Sequence, residues 1–518
     1  MGRAVVDGLW LLLVLAVTLI GVWLSSSLAA YLNGPLWLAY ALGLLAFPVL
    51  PVAWELRAAA RRRKSGTTRK PFFTAWDRVV LRTLAVNVLV VAVLLARWPT
   101  SAFAALATRG DWFLEGRTSR EAAGLRTVLF RTAGGLEWLY RATHGNPNDK
   151  YLTHTKTADG QPQPAPVPIA DTAGHPSLSV SDFVGGTGGG TGGGTDPGSV
   201  AWPSPAPPAP AEDADEEVKL QRLADGTPVW PLPAEMHPAV SGLPSAAESS
   251  IASVARYIAQ QETDPWLRVK ALHDYVADRV SYDAEAYRSG SYPPQDAETV
   301  FRTRRSVCAG YANLMAALGQ GTGDEIVVVG GDARTDGRGL TGEGHAWNAA
   351  RIGGRWVLLD ATWDAGFLKD GQFVKRYSTE FLFTPPEVQG LSHFPDEEQW
   401  QLRHPTLSRG DFLRQPLMRP RFYAEGFTLV SPDRPQVTVD RTLEASLRNP
   451  RQRYVLAHYQ RRDGGVTADC DVAQGPSVSV RCDLPEEGTY RVVLFSNRQR
   501  HGTYQQVGEI EALRGGGQ

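Results

Sequence analysis

The chain has 518 residues, with 53 Lys and Arg set against 54 Asp and Glu for a formal net charge of −1. That length implies several domains, and the balanced charge excludes a chain-wide electrostatic attraction to nucleic acid. Its three cysteines form no C-x-x-C pair and no D-x-D-x-D-G loop occurs, so neither a zinc ribbon nor a calcium loop is indicated, and no metal or cofactor is expected.

The N-terminal hundred residues read as three transmembrane helices (1–100). Val5 to Leu32 is largely apolar after Asp7 and long enough to span a bilayer. Asn33-Gly34 reads as a turn, Pro35 to Trp54 as a second run, and Val79 to Trp98 as a third, interrupted by Arg82 and Asn87. A cleaved signal peptide is the rival reading of the first run. The thin charged region before it, its length and the second run directly after it argue against cleavage. Arg82 lies near a helix end, where a long side chain reaches the interface. Arg57, Arg61, Arg62, Arg63, Lys64, Arg69 and Lys70 crowd the loop between runs two and three, whereas the loop between runs one and two carries no Lys or Arg. The positive-inside rule then puts the N-terminus and the basic loop in the cytoplasm, and everything after the third run outside. Arginines after the third run, such as Arg109 and Arg117, weigh against that orientation and are partly offset by acids.

Ser119 to Arg141 predicts one or two helices in a juxtamembrane segment (101–145). Their apolar side holds Leu125, Val128, Leu129, Leu136, Leu139 and Tyr140, suited to a membrane surface or to packing against the spans. Residues 146–240 read as a linker, with G-G-T-G-G-G-T-G-G-G-T and then P-S-P-A-P-P-A-P-A-E-D-A-D-E-E. Such tracts bury too little apolar surface to fold. The glycine run lacks the G-K-[S/T] of a phosphate loop. A linker of this length would hold a following module away from the membrane.

Residues 241–418 predict an α+β domain with an antiparallel sheet. Two helices are expected over Ala246 to Ala277, a strand over Ile326 to Gly331, and a mobile loop over Asp332 to Gly344. Between them, Ser306 is a plausible cap for a helix beginning at Cys308, with Tyr311, Leu314, Met315 and Leu318 on one face. A thiol in a first helical turn faces the positive end of the macrodipole, which favours the reactive thiolate, and unpaired N–H groups converge there.

H-A-W-N-A-A-R-I and R-W-V-L-L-D-A-T flank Gly353-Gly354, a two-residue hairpin turn. If the turn is tight, Ile352 pairs with Arg355 and Trp347 with Asp360. His345 then shares a face with Trp347 and is a diagonal neighbour of Asp360, roughly 7–8 Å away between backbones and within reach of a ring N–H to carboxylate bond. A one-residue slip would part them. Asp364 is the competing carboxylate, further from the turn. Singly, a buried Cys, a strand His and an Asp after a strand are usually structural. Together, Cys308, His345 and Asp360 form a candidate triad of nucleophile, base and orienting group.

R-S-V-C-A-G-Y-A, G-H-A-W-N and W-V-L-L-D-A-T-W-D resemble the three core motifs of the transglutaminase-like superfamily, whose fold is papain-like. V-K-A-L-H-D-Y-V-A-D-R-V-S-Y-D upstream, with F-L-F-T-P-P-E and H-F-P-D-E-E-Q-W-Q-L downstream, resemble its kyphoscoliosis-peptidase branch. The resemblance covers roughly Ser249 to Pro416 and implies Cys308 as nucleophile, His345 as base and Asp360 as orienting group.

Residues 419–518 predict a small β-sandwich, with strands at Gln436–Val439, Tyr454–His458, Ser477–Val480, Tyr490–Phe495 and Tyr504–Ile510. An extracytoplasmic location would permit a disulfide between Cys470 and Cys482; two free thiols are the alternative. The expected whole is a membrane-anchored cysteine enzyme acting on peptide or protein amides, with water or an amine as acyl acceptor and no nucleic-acid partner. The alternative is a non-catalytic binding module on a membrane stalk. Oligomeric state and substrate are left open.

Overall fold

The structure, a computed structural model, describes residues 2–32, 49–64, 73–115, 117, 119–152, 221–335 and 341–515. Most of the expected second apolar run and the Gly/Pro-rich tract at 153–220 lie outside the described residues, as do 336–340 of the loop before His345.

Among the described residues, the first three helices are α1 (Gly2–Tyr31), α2 (Leu50–Lys64) and α3 (Ala75–Arg97). Gly8–Tyr31 and Asp77–Arg97 are each long and apolar enough to cross a membrane. Thr74 and Asp77 start α3 with a reciprocal capping box. Arg82 pairs with Glu55, and its guanidinium lies 5.1 Å from the Trp54 ring.

Pro99 at the first helical position sets off a further helix that the sequence reading passed over, α4 (Pro99–Arg109). Two helices follow where one or two were expected, α5 (Arg120–Gly134) and α6 (Glu137–Thr143). Of the expected apolar side, Leu125 and Val128 are exposed, whereas Tyr140 is buried. Ala133 and Leu136 close on Leu24, Ala102 and Leu106.

The mixed domain places α7 (Ile251–Gln261), α8 (Pro265–Arg279) and α9 (Cys308–Thr322) against a five-stranded antiparallel sheet. Its strands are β1 (Glu325–Ala333), β2 (Glu343–Ile352), β3 (Arg355–Leu359), β4 (Leu382–Thr384) and β5 (His393–Pro395), in the order β4-β3-β2-β1-β5. Tyr311, Leu314, Met315 and Leu318 of α9 are all buried, with Leu272 and Val276 of α8 and Ile326 of β1 in the same core. Each such aliphatic side chain contributes about 1.5–3 kcal/mol by burial.

The C-terminal sandwich has a four-stranded and a five-stranded sheet. All five expected strands are present. Four more, at Thr428–Ser431, Thr442–Arg448, Thr467–Asp469 and Asp471–Ala473, were not expected. The last two, of three residues each, are too short and too exposed for alternation to show. Cys470 and Cys482 form a disulfide.

The mixed domain and the sandwich both contact the helical segment from α4 to α6. Phe103, Ala104 and Ala107 of α4 and Tyr140 of α6 share a core with Phe394, Phe412 and Leu413. Arg109 donates to Thr438 Oγ1 at 2.6 Å, and Arg434 reaches the buried Asp111 at 3.2 Å. The segment expected to begin a linker at residue 146 is instead hydrogen-bonded to the sheet at Asn146 and Asn148 and to α9 at Tyr151. The small Ala side chains of α4 permit the close approach, a feature that shows in sequence only as weak hydrophobicity.

Candidate active site

Cys308 is the first residue of α9. The expected Ser306 cap is not used. Ser306 is held in a parallel bridge with Tyr282, and Val307 is the N-cap without a side-chain bond. Gln295 Oε1 accepts from the Val307 N–H at 3.0 Å and fixes the turn into the helix. A Cβ at Gly310 would meet Ser306 Cβ and Val300 Cγ2 at 2.6 Å, so glycine two residues after the cysteine is what lets the helix start so close to this bridge.

The hairpin has the register that its turn dictates. Gly353 and Gly354 have φ of 58° and 83°, Ile352 pairs with Arg355, and the ladder runs to Asn348 opposite Leu359. One residue on, Asp360 leaves the ladder and caps a short helix, its Oδ1 accepting from Thr362 N at 2.8 Å and Trp363 N at 3.3 Å. Its other oxygen, Oδ2, accepts from His345 Nε2 at 2.8 Å. The second ring nitrogen of His345 is thus left for Cys308, with which His345 is also hydrogen-bonded. The three expected residues are brought together. All are nearly closed off, Cys308 being 3 %, His345 6 % and Asp360 1 % exposed.

Burial disfavours an imidazolium at His345, but Asp360 and Cys308 outweigh it and push its pKa up to about 10. Burial likewise opposes charge on Asp360, yet His345 and His393 hold its carboxyl well below the usual carboxylate range. Asp364, the rival carboxylate, is turned elsewhere. It lies 3.1 Å from His273 Nε2, accepts from the Phe381 N–H and bonds Ser378.

His393 was quoted from the sequence without a role. Its Nε2 donates to Asp360 Oδ2 at 3.2 Å, and Ser392 Oγ donates to its Nδ1 at 2.9 Å. Burial pulls its pKa down to about 4, which leaves it neutral. A neutral ring with Nε2–H and an accepting Nδ1 satisfies both bonds. His345, Asp360 and His393 offer ligand atoms within 4.8 Å of one another and are the described residues that could hold a metal ion. In the arrangement found, both imidazoles spend Nε2 on one carboxylate oxygen.

A second element missed in the sequence is the segment after α6. Asn146 Nδ2 donates to Gly331 O at 3.1 Å and to His345 O at 2.9 Å, and Asn148 Nδ2 donates to Gly344 O at 3.0 Å. Leu152 packs against Cys308, Ala312 and Ala346. The signal that could have found it is Gly344, directly before His345, together with Gly330 on the neighbouring strand. A Cβ at Gly344 would meet Pro147 Cδ at 2.4 Å, and one at Gly330 would meet Leu152 Cδ1 at 2.7 Å.

Comparison with known proteins relates part of the chain to a described family. Residues 252–361 match the family model of the transglutaminase-like superfamily. Kyphoscoliosis peptidase of Mus musculus is 30% identical over 173 residues, covering 32% of this chain and 26% of that protein. Its Homo sapiens counterpart is 27% identical over 194 residues, covering 36% of this chain and 29% of that protein. The chain thus spans between a quarter and a third of the length of these relatives. A crystal structure of a TGase is 23% identical over 24% of this chain and 33% of that one, with a TM-score of 0.20. The chain therefore carries a domain of the transglutaminase-like superfamily, related in sequence to the kyphoscoliosis-peptidase branch.

Proposed function

We propose that this protein is a membrane-anchored cysteine acyl-transfer enzyme acting on peptide or protein amides. The observation that carries the reading is the 2.8 Å bond from His345 Nε2 to Asp360 Oδ2 beside a thiol at a helix start. The Cys308 thiolate attacks an amide carbonyl, forming the C–S bond of a tetrahedral oxyanion. N–H groups of the first turn of α9 face that charge. The C–N bond then breaks as the His345 imidazolium gives its proton to the leaving amine, leaving a thioester. Water or an amine attacks the thioester, His345 takes the incoming proton, and the thiolate departs. Asp360 holds the ring throughout and stabilises its cationic form. The two apolar helices supply the membrane attachment.

Iodoacetamide labelling with mass-spectrometric site assignment tests the reading. Labelling of Cys308 in the native protein is expected to exceed that of an ordinary thiol at acid to neutral pH once the site is accessible, and to fall in His345→Ala. Product analysis with a glutamine-containing peptide, with and without a primary amine, assigns the acceptor. A Cys308→Ala protein that keeps every cellular phenotype would sink the catalytic reading in favour of a binding module.

A further inference from the structure

Among the described residues, Cys308, His345 and Asp360 are nearly closed off from solvent. What lies over them is part of the same chain. Asn146–Leu152 follows α6 and crosses the paired ends of β1 and β2 beside His345, and its seat is built rather than incidental. Its two asparagine side chains make three contacts to main chain of the sheet. Asn146 bridges the carbonyls of Gly331 and His345, and Asn148, itself 2 % exposed, bonds that of Gly344. In the reverse direction, the buried Asn313 of α9 donates to the Tyr151 carbonyl at 2.8 Å, recognition of a peptide group that does not depend on the side chain. Tyr151 OH donates to Tyr292 O at 3.1 Å. The segment ends with Leu152 in a recess of small residues, Cys308, Ala312, Ala346 and Gly330, closed at one side by Val328. Any side chain at Gly330 or Gly344 would fill that seat.

The geometry points to a self-occupied substrate cleft. The full chain rests closed, with Asn146–Leu152 in the place of substrate, and the competing substrate is a peptide segment that lays a branched apolar side chain beside Cys308. This rests on Cys308 acting as the nucleophile. The apolar recess sets side-chain preference, and the Asn313 amide sets the requirement for a peptide carbonyl one residue earlier. A substrate must displace contacts that the protein already makes, so activity of the intact chain depends on what draws the segment off.

The test uses the full chain and alkylation of Cys308 by iodoacetamide, which reports one site because the other two cysteines are bonded to each other. Wild type is expected to react at least about tenfold more slowly than Leu152→Gly or the double variant Asn146→Ala with Asn148→Ala, since only the opened fraction reacts. A wild-type rate equal to that of free cysteine overturns the closed state and requires no variant. Thermal melts establish that each variant is folded. A synthetic peptide of the Asn146–Leu152 sequence is expected to slow alkylation of the opened variants, and the same peptide with Asp in place of its Leu is not. No protection by the first peptide overturns the substrate class. Adding His345→Ala to Leu152→Gly separates the two readings. A fall in neutral-pH alkylation supports the catalytic pair. An unchanged fast rate overturns that pair and leaves the covering role standing.

Discussion

Two segments converge on His345 by different routes. The hairpin of β2 and β3 reaches it through the chain itself: fifteen positions separate His345 from Asp360, and one tight turn sets which residues face each other. The Asn146–Leu152 segment arrives from 199 positions away and bonds the carbonyl of the same histidine. The hairpin aligns the groups that would do chemistry, and the segment covers them. Alignment is encoded locally, where an error of one residue is fatal. Access is encoded at long range, in side-chain amides and glycines that can be lost one at a time.

Removing Gly354 is the most severe way to break the comparison. A shortened turn shifts the β2–β3 register and carries His345 away from Asp360, so labelling above the ordinary thiol rate is expected to vanish in the opened Leu152→Gly background as well. His345→Ala leaves the hairpin intact but is expected to lower amide turnover about 10²–10⁴-fold, the range for loss of a general base. Steady-state kinetics on an opened variant would measure it.

The pH dependence sharpens the distinction. His345 has its pKa raised to about 10, so reactivity that needs the imidazolium is expected to decline as pH rises through that value. Asp360→Asn is expected to move this limb toward neutrality. The same shift bears on stability. A raised folded-state pKa stabilises the fold fully below the unfolded value of about 6.5, and that contribution is lost as pH climbs toward about 10. His393, lowered to about 4, acts on the acid side: its contribution is present above about 6.5 and is lost as pH falls toward 4. Denaturant melts at pH 4, 6, 8 and 10 on wild type and His393→Phe separate the two. The smallest expected effect is Asn148→Ala, about 1 kcal/mol for each of its Nδ2 hydrogen bonds to Asn146 Oδ1 and Gly344 O. The position of the alkaline limb should not move. A limb that moved would mean that the segment tunes the chemistry as well as covering it.

What could be read from residues follows the same division. The Gly353-Gly354 turn, the apolar face of α9 and the alternation in the longer sandwich strands are local periodicities, and they gave the sheet, the His345–Asp360 pair and the sandwich. Ser306 looked like a cap because its type fits one, but its bridge to Tyr282 commits it elsewhere. His393 gave no local sign of its bond to Asp360, since that bond joins β5 to the end of β3 across 33 positions. The seat for Asn146–Leu152 was hidden because asparagine, proline and glycine read as linker until their partners are in place. The expectation of a module held at a distance failed for a related reason. The alanines of α4 are poor markers of burial, yet they pack with Phe394 of the sheet and with Phe412 and Leu413.

The turn that aligns the pair carries one more consequence. A Cβ built at Gly353 or Gly354 meets no atom within 4 Å, so the positions are constrained by their positive φ and not by space. The requirement is one of handedness. D-alanine at either position, introduced by semisynthesis, should preserve the alignment of His345 and Asp360, whereas L-alanine should cost about 1 kcal/mol or more at each. The chirality of two solvent-facing residues thus sets the geometry of a buried proton-transfer pair.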